Sequence, residues 1–342
     1  MTDLPILHFG LGPIGCAIAR AASMRPGLRL IGGVDIDPAK AGRPLADVAG
    51  LSQPCDGLVY NSLAELPAGQ HPRVTLHSTS SSLSRVVGEI CSLVELGSSV
   101  ISTCEELSYP FARYPDESAM IDRAAREHGV VVLGTGVNPG FVMDTLAFTF
   151  TAVAERVDRV EIDRVVDASQ RRLPLQQKIG AGLDLAEFDR RAKAGTLRHV
   201  GLEESIRLVA AALGWKVDGI DFSLEPIVAE RQRRSPEITA EVGQAAGVWQ
   251  RATARVDGAE RLVYDLKMQL ETDEPRDEIR LIGNPSLRLQ IPGGINGDIA
   301  TAAIVVNAIP RVLEAAPGLR TMLDIAPPVR WSTSAQAAAA RV

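Results

Sequence analysis

The sequence predicts an α/β fold: a Rossmann-type, doubly wound parallel sheet followed by a second α+β domain. Two observations support this prediction. Through about residue 145, short apolar segments alternate with segments of helical periodicity, and each repeat has the length of a β–α–β unit. After residue 150 the segments become longer and partly alternating, and the dipeptide Asp257-Gly258 is typical of a hairpin turn between two of them.

Strands are predicted where a segment is short and apolar, and helices where apolar residues recur three to four positions apart. In the first half, strands are predicted at 5–9, 28–35, 73–78, 98–103 and 130–136, and helices at 13–24, around 86–94 and at 116–128. In the second half, strands are predicted at 157–167, 218–230, 246–256 and 261–271, and helices near 184–194 and 202–214. We expect the later strands to form an antiparallel sheet.

The change in pattern also sets the domain boundaries. Residues 1–147 are assigned to the Rossmann-type domain, and residues 148–297 to the second, α+β domain; the motifs described below favour dinucleotide binding for the first and substrate binding and dimerisation for the second. A C-terminal amphipathic helix is expected to start near Asp298 and run to about Ala315, and the C-terminal helical segment 298–330 is expected to pack back on the first domain. Residues 331–342 are expected to be frayed.

Composition and charge exclude several classes of function. The chain is 46% hydrophobic and 23% charged, as is ordinary for a globular protein, and its net charge of −6 without a basic block argues against a nucleic-acid partner. No apolar run approaches the ~20 residues that span a bilayer, and no leader is recognisable, so we expect a cytoplasmic protein without a membrane partner. Neither the four cysteines nor the five histidines have the spacing of a metal site.

A glycine-rich motif follows the first predicted strand and opens the first helix. Gly10-Leu11-Gly12-Pro13-Ile14-Gly15 reads G-x-G-x-x-G, the dinucleotide-binding fingerprint in its required context. Gly10 permits the tight turn, Gly12 lets the backbone approach a pyrophosphate, and Gly15 lets the helix pack close to the strand. The helix N-terminus favours the phosphate charge. A plain strand-to-helix turn is the alternative interpretation.

The fingerprint also requires an acidic residue about 20 positions further on. Asp35 occupies that place at the end of the second strand. A carboxylate there accepts hydrogen bonds from the ribose hydroxyls and repels a 2′-phosphate, which favours NAD over NADP. Lys40 and Arg43 lie just downstream and could bind a 2′-phosphate, so NADP stays possible. Alternatively, Asp35 or Asp37 merely begins a turn.

Three polar loops end strands at the sheet edge where open α/β folds bind ligands. They are residues 77–81, 102–106 and 134–141. Besides the glycine motif with Pro13 and Ile14, we expect the cofactor to contact Ser78, Thr79, Ser80, Thr103, Gly136 and Asn138.

Glu105 and Glu106 are the candidate catalytic acids, because they follow a strand at the end of the sheet where the nicotinamide is expected. Acidic residues are also common at helix starts, so one of the pair could be a cap and the other the catalyst. His77 is a further candidate, although a lone histidine in a strand is more often a satisfied core residue.

Together, several motifs resemble a known family. The segments HFGLGPIG, VDIDP, STCEEL, GTGVNPGFVMD, QKIGAG, NGDIATAAIVVNAIP and PGLRTM are similar to those of the 2,4-diaminopentanoate dehydrogenases and the native amine dehydrogenases, within the dihydrodipicolinate-reductase-like group. The resemblance spans about residues 5–325. It implies NAD(P)-dependent, reversible oxidative deamination of a primary amine to a ketone or aldehyde plus ammonium. It also implies that Glu105 is the key active-site acid; if the family's glutamate aligns one residue later, Glu106 takes that role. The resemblance further implies that Phe141 forms one wall of the substrate pocket.

One stretch departs from the wider group. Dihydrodipicolinate reductases carry a histidine-rich stretch with a lysine after the first strand of the second domain, whereas residues 167–182 here contain no histidine. A cyclic dicarboxylate substrate is therefore not implied. We expect the substrate pocket to be lined by Asn138, Phe141, Arg164, Asp167 and Thr301.

The second half also suggests a homodimer formed through its sheet, as the resemblance implies. Two other functions stay open: a reductase of a carbonyl or cyclic imine that does not exchange ammonia, and a non-enzymatic NAD(P)-binding regulator.

Overall fold

The chain forms two compact units in the computed structural model, which describes residues 3–331. The first unit runs to Phe141 and resumes at Asn296, and the second is Val142–Ile295. Within the described residues, no helix is both long and apolar enough to cross a membrane. Of the end that the sequence predicts to be frayed, residues 332–342 lie outside the described residues.

The first unit begins with alternating strands and helices. They are β1 (Leu4–Phe9), α1 (Pro13–Ser23), β2 (Leu28–Val34), α2 (Leu45–Ala49), β3 (Val59–Tyr60), β4 (Val74–His77), α3 (Leu83–Glu95), β5 (Ser99–Ser102), α4 (Pro115–Glu127) and β6 (Val131–Gly134). Every strand predicted in this half is present, with ends within two residues of the prediction. Helix α3 buries Val86, Ile90 and Leu93 on one side. Burial of each such side chain stabilises the folded state by roughly 1.5–3 kcal/mol relative to leaving it exposed to water.

The second unit is built on a six-stranded sheet. Its elements are α5 (Thr145–Phe150), β7 (Arg156–Asp167), α6 (Leu173–Lys178), α7 (Leu185–Lys193), α8 (Leu202–Ala212), β8 (Gly219–Val228), β9 (Arg233–Arg234), β10 (Thr239–Ala240), β11 (Ala245–Val256), β12 (Ala259–Gln269), β13 (Arg276–Asn284) and β14 (Leu287–Pro292). The sheet order is β14-β13-β7-β12-β11-β8, and β9 pairs separately with β10.

This sheet is mixed, so the expectation of a purely antiparallel sheet is wrong. Strands β7 and β12 pair in parallel, while the other neighbours are antiparallel. The predicted hairpin is confirmed, because Val256 pairs with Ala259 and both intervening residues have positive φ. Such values are those of the type I′ turn that matches strand twist.

The chain then returns to the first unit through α9 (Gly297–Asn307), α10 (Ile309–Glu314) and β15 (Gly318–Arg320). The Asn296 side chain caps α9 by accepting the N–H groups of Asp298 and Ile299. The predicted helix from Asp298 to about Ala315 is therefore present as two helices, and no single helix extends through 298–330. The segment breaks before α10, whose first turn holds Pro310; proline has no N–H for the bond that would continue a helix. Helix α9 packs on α1, and β15 pairs with β6.

The sheet of the first unit has seven parallel strands in the order β15-β6-β5-β4-β1-β2-β3. The order runs outward in both directions from the pair β1 and β4. Such a reversal leaves a crevice beyond the carboxyl ends of these strands, where open α/β folds bind ligands. The predicted doubly wound fold with a second α+β domain is confirmed.

Candidate functional site

The turn between β1 and α1 has the geometry that a dinucleotide-binding motif requires. Gly10 has φ +92°, and a Cβ there would lie 2.6 Å from the carbonyl oxygen of Ser78. A Cβ on Gly15 would lie 1.8 Å from the Gly10 carbonyl oxygen. By contrast, no described atom lies within 4 Å of a Cβ built on Gly12, which caps α1. The backbone at the start of α1, with Pro13 and Ile14, thus borders open space into which a phosphate fits.

Asp35 follows β2 and is linked to this turn. Its Oδ2 accepts the Leu11 N–H at 2.7 Å and the Lys40 ammonium at 3.0 Å, and its Oδ1 accepts the Asp37 N–H at 2.9 Å. Burial opposes ionisation, but the hydrogen bonds from Asp37, Lys40 and Leu11 outweigh it and lower the pKa of Asp35. The residue is therefore an ionised acceptor beside the motif. Arg43, the other basic residue noted downstream, is exposed.

His8 lies directly beneath the turn, and sequence reasoning missed it. Its Nε2 is 3.0 Å from the Gly10 carbonyl oxygen, which also accepts the Ser78 hydroxyl at 2.9 Å. Because a carbonyl oxygen only accepts, we assign the proton to Nε2. Burial lowers the pKa of His8 to about 4, so the ring is neutral near pH 7. The signal was present in the sequence, since a polar ring interrupts the apolar strand PILHF.

Three of the residues predicted to contact the cofactor have hydrogen bonds within the first unit. The Thr79 hydroxyl donates to Glu89 at 2.7 Å, and the Ser80 hydroxyl accepts the Ser82 N–H at 3.2 Å. Thr103 donates its backbone N–H to the His77 carbonyl oxygen. These bonds give the strand-end loops a defined shape.

Glu106 is held by the helix that precedes it. The side chain is buried, and its Oε2 accepts the N–H of Leu83, the first residue of α3, at 2.9 Å. Its Oε1 lies 3.7 Å from Nη1 of Arg113. Glu106 therefore satisfies a backbone donor at a helix N-terminus, which is the capping role that the sequence left open.

Glu105 belongs to the same single turn of 3₁₀ helix, Glu105–Leu107, and its side chain is half-buried. His77 is fully buried, with hydrogen bonds at both ring nitrogens, like a satisfied core residue. Of these three candidates, Glu105 is the one whose side chain is partly exposed, whereas Glu106 and His77 are buried.

The third loop contains a buried amide without partners. Asn138 is 8% exposed, and neither side-chain atom has a hydrogen-bond partner among residues 3–331. Leaving such a group unpaired costs about 1–3 kcal/mol, so it marks a place where a ligand would supply the missing bonds. The neighbouring Val137 N–H donates to the Thr301 hydroxyl at 3.3 Å, and a Cβ on Gly136 would lie 3.8 Å from Thr301. Phe141 is half-buried.

The two predicted substrate residues of the second unit have partners there. Arg164 is buried, donating to Asp277 at 2.7 Å and to the Ile295 carbonyl oxygen at 2.9 Å. Asp167 accepts hydrogen bonds from the N–H and hydroxyl groups of Ser169. Both arrangements are those of structural side chains.

No group of three or more His, Cys, Asp or Glu side chains within residues 3–331 is arranged to hold a metal ion.

Comparison with known proteins gives two kinds of sequence match. Residues 141–341 match the family described as the 2,4-diaminopentanoate dehydrogenase C-terminal domain. Over 334 residues the chain is 31% identical to a 2,4-diaminopentanoate dehydrogenase of Acetoanaerobium sticklandii, covering 96% of this chain and 95% of that protein. It is 21% identical to an amine dehydrogenase of Streptomyces virginiae, over 93% of this chain and 94% of the other.

Solved structures share the fold. An amine dehydrogenase from Mycobacterium smegmatis superimposes with a TM-score of 0.84 at 22% identity, over 96% of this chain and 97% of that one. GenD2 from gentamicin A biosynthesis, determined in complex with NAD, gives a TM-score of 0.50 at 16% identity, over 85% of this chain and 73% of that one.

Proposed function

Since this chain belongs to the 2,4-diaminopentanoate dehydrogenase family, we propose that it is a nicotinamide-dependent amine dehydrogenase. The reaction is reversible: a primary amine, NAD⁺ and water give a ketone or aldehyde, NADH and ammonium. In the deaminating direction the amine carbon loses a hydride and becomes an iminium, water adds to that carbon, and ammonia leaves. The reverse sequence is reductive amination.

The residues of the first unit fit the cofactor. The open backbone at Gly12 and the N-terminus of α1 would hold the pyrophosphate, and the ionised Asp35 would accept the ribose hydroxyls. The bound nicotinamide supplies the hydride acceptor. We propose NAD as the preferred form, because a 2′-phosphate would meet the Asp35 carboxylate. Lys40, paired with Asp35 at 3.0 Å, is the cation that would compensate if NADP binds.

We assign the acid/base role to Glu105. The observation that carries this assignment is exposure: the Glu105 side chain is half-buried, whereas Glu106 on the same loop is buried and accepts the Leu83 N–H. A carboxylate beside an iminium stabilises its positive charge. It also takes a proton as water adds and returns one as ammonia leaves.

The substrate contacts are proposed from the third loop. Asn138 would pair its buried amide with a polar group of the substrate or cofactor, while Phe141 and Thr301 would face the substrate. Arg164 and Asp167 stay candidates from the sequence, but their hydrogen bonds within the second unit favour a structural role.

An amine screen tests the activity. The panel contains 2,4-diaminopentanoate, its analogue without the 2-amino group, and pentan-2-amine, each with NAD⁺ or NADP⁺ and followed by reduced-cofactor absorbance. The reverse reaction uses the matching carbonyl with and without ammonium. We expect ammonium-dependent turnover. Carbonyl reduction without ammonium would indicate a carbonyl or imine reductase, and cofactor binding without turnover would indicate a regulator.

A homodimer through the six-stranded sheet is part of the proposal. One face of this sheet carries cross-strand ion pairs, including Arg276 with Asp163 and Arg288 with Glu278. A twofold interface brings the same patch of both copies together, so acidic and basic side chains on one face could pair with those of the second copy. Light scattering at micromolar concentration should give twice the chain mass. A monomer would contradict the proposal.

A further inference from the structure

A buried hydrogen-bond chain runs from α3 through β4 and β5 to the residue that precedes Glu105. His77 Nε2 lies 2.8 Å from Glu89 Oε2, and His77 Nδ1 lies 2.8 Å from the Ser102 hydroxyl. The Ser102 oxygen accepts the backbone N–H of Cys104 at 3.0 Å. The side chains of Glu89, His77 and Ser102, from α3, β4 and β5, are therefore linked in series, and the last of them binds the backbone N–H of Cys104.

Hydrogen-bond chemistry sets the direction of this chain. Burial opposes ionisation of Glu89, but hydrogen bonds from His77 and Thr79 outweigh it and lower its pKa, so its carboxylate only accepts. His77 Nε2 must then donate to Glu89. The Cys104 N–H can only donate, so the Ser102 oxygen accepts it, and the Ser102 hydroxyl is joined to Nδ1 of His77.

The chain is also held rigidly. The His77 side chain has no solvent exposure, and its ring stacks on Phe9 with a centroid distance of 5.6 Å. The Thr79 hydroxyl shares the same Glu89 oxygen at 2.7 Å. A ring enclosed in this way has one orientation.

The residue on the other side of Glu105 is tied to the same helix. Glu106 accepts the N–H of Leu83 at the start of α3, while Glu89 lies about 1.7 turns further along the same helix. Glu105 thus stands between two anchors: Cys104, bound through Ser102 and His77, and Glu106, bound directly.

We propose that His77 and Ser102 are positioning residues, which fix the backbone before Glu105 so that its carboxylate meets the reacting amine. This inference rests on the proposed function. Neither residue is assigned a contact with substrate; both act through Cys104. Misplacement of a catalytic group by about 1 Å can cost on the order of 10²-fold in rate, so a single buried hydroxyl has a measurable effect.

The test compares two buried serines of β5. Ser102→Ala removes the hydroxyl between His77 and Cys104. Ser99→Ala is the matched control, because the Ser99 oxygen also accepts a backbone N–H, that of Val131 at 3.2 Å, at the other end of the strand. With the best amine of the panel, Ser102→Ala should lower kcat about tenfold. Ser99→Ala should not. NADH affinity, measured by fluorescence, should be unchanged in both.

A double variant separates positioning from stability. In the Glu105→Gln background, Ser102→Ala should lower kcat less than about twofold, because there is no carboxylate left to position. Ser102→Thr, which restores the hydroxyl, should recover most of the rate. Equal tenfold losses in both backgrounds would overturn the inference. If Ser102→Ala does not fold, Glu89→Ala replaces it, since Glu89 is partly exposed and alanine suits a helix.

The outcomes also distinguish this inference from the proposed function. An inactive Glu105→Gln combined with a Ser102→Ala enzyme that matches Ser99→Ala overturns the positioning role alone. A fully active Glu105→Gln removes the glutamate mechanism and the positioning role with it.

Discussion

Oδ2 of Asp35 lies 2.7 Å from the backbone nitrogen of Leu11, inside the glycine-rich turn. The carboxylate that would bind the ribose hydroxyls is therefore hydrogen-bonded to the turn that would hold the pyrophosphate. The same oxygen pairs with Lys40, so removing the carboxylate both abolishes the repulsion of a 2′-phosphate and releases a cation for it.

For this reason Asp35→Ala should shift cofactor preference. The kcat/KM ratio of NADP to NAD is expected to rise by a factor on the order of ten or more, equivalent to about 1.4 kcal/mol. Asp37→Ala is the control, because Asp37 is more exposed and lies further from Lys40, at 3.7 Å. An unchanged ratio in Asp35→Ala would mean that this residue does not read the ribose.

Asn138 should show opposite effects on stability and catalysis. Asn138→Leu removes a buried amide that has no partner in the described chain, so the melting temperature should hold or rise, while kcat/KM for the amine falls. Asn307→Leu is the contrasting variant, because the Asn307 side-chain oxygen accepts the backbone N–H of Trp331 at 2.9 Å. That variant should lose about 1 kcal/mol of stability and keep its activity. A destabilised Asn138→Leu enzyme with normal kinetics would make Asn138 a structural residue.

Two histidines whose pKa values are lowered on folding predict acid sensitivity. The pKa of His8 falls from 6.5 to about 4 on folding, so between these values the unfolded chain binds a proton that the folded chain does not. The contribution of His8 to the free energy of unfolding should therefore be level above pH 6.5 and decrease below it, by up to about 1.4 kcal/mol per pH unit. Burial also lowers the pKa of His199, to about 3, which adds to the slope.

Urea unfolding at pH 7 and pH 5 measures this effect. His8→Gln keeps a donor for the Gly10 carbonyl oxygen but does not titrate, so its stability should depend less steeply on pH. His71→Gln, at an exposed position, should behave as the parent does. Identical slopes in all three proteins would show that His8 is not the group that titrates.

Five strands of the first unit could be predicted to within two residues, because they are short apolar runs, whereas the short elements α2, β3 and β15 were not predicted. The second unit could be predicted only in part. Strands β13 and β14 carry charged residues, such as Arg276, Glu278 and Arg288, on the face that forms cross-strand ion pairs, so their apolar signal is weak. The parallel pairing of β7 and β12 joins segments about a hundred residues apart, which local pattern does not encode.

The same distinction applies to the site. The glycine motif and Asp35 have a fixed spacing, and the glutamate pair follows a recognisable strand. The roles of Glu105 and Glu106 depend on Leu83 and Arg113, and the chain through His77 depends on partners from three elements. Such contacts arise only when the sheet is assembled.

Glu105→Gln is the decisive variant for the chemistry. If Glu105 moves the protons and stabilises the iminium, its amide should lower kcat by roughly 10²–10⁴-fold, the usual range for loss of a positioned acid or base. The fold should survive, because glutamine is nearly isosteric and Glu105 is only half-buried. NADH binding should also survive, since the phosphate cradle lies at Gly10 to Gly15.

Glu106→Gln is its internal control. A glutamine at 106 can still accept the Leu83 N–H but loses the charge that faces Arg113, so a small loss of stability and at most a modest loss of rate are expected. Steady-state kinetics and thermal unfolding of both variants distinguish the roles. Near-full activity of Glu105→Gln with collapse in Glu106→Gln would assign the chemistry to the other glutamate, and full activity in both would exclude a glutamate mechanism at this loop.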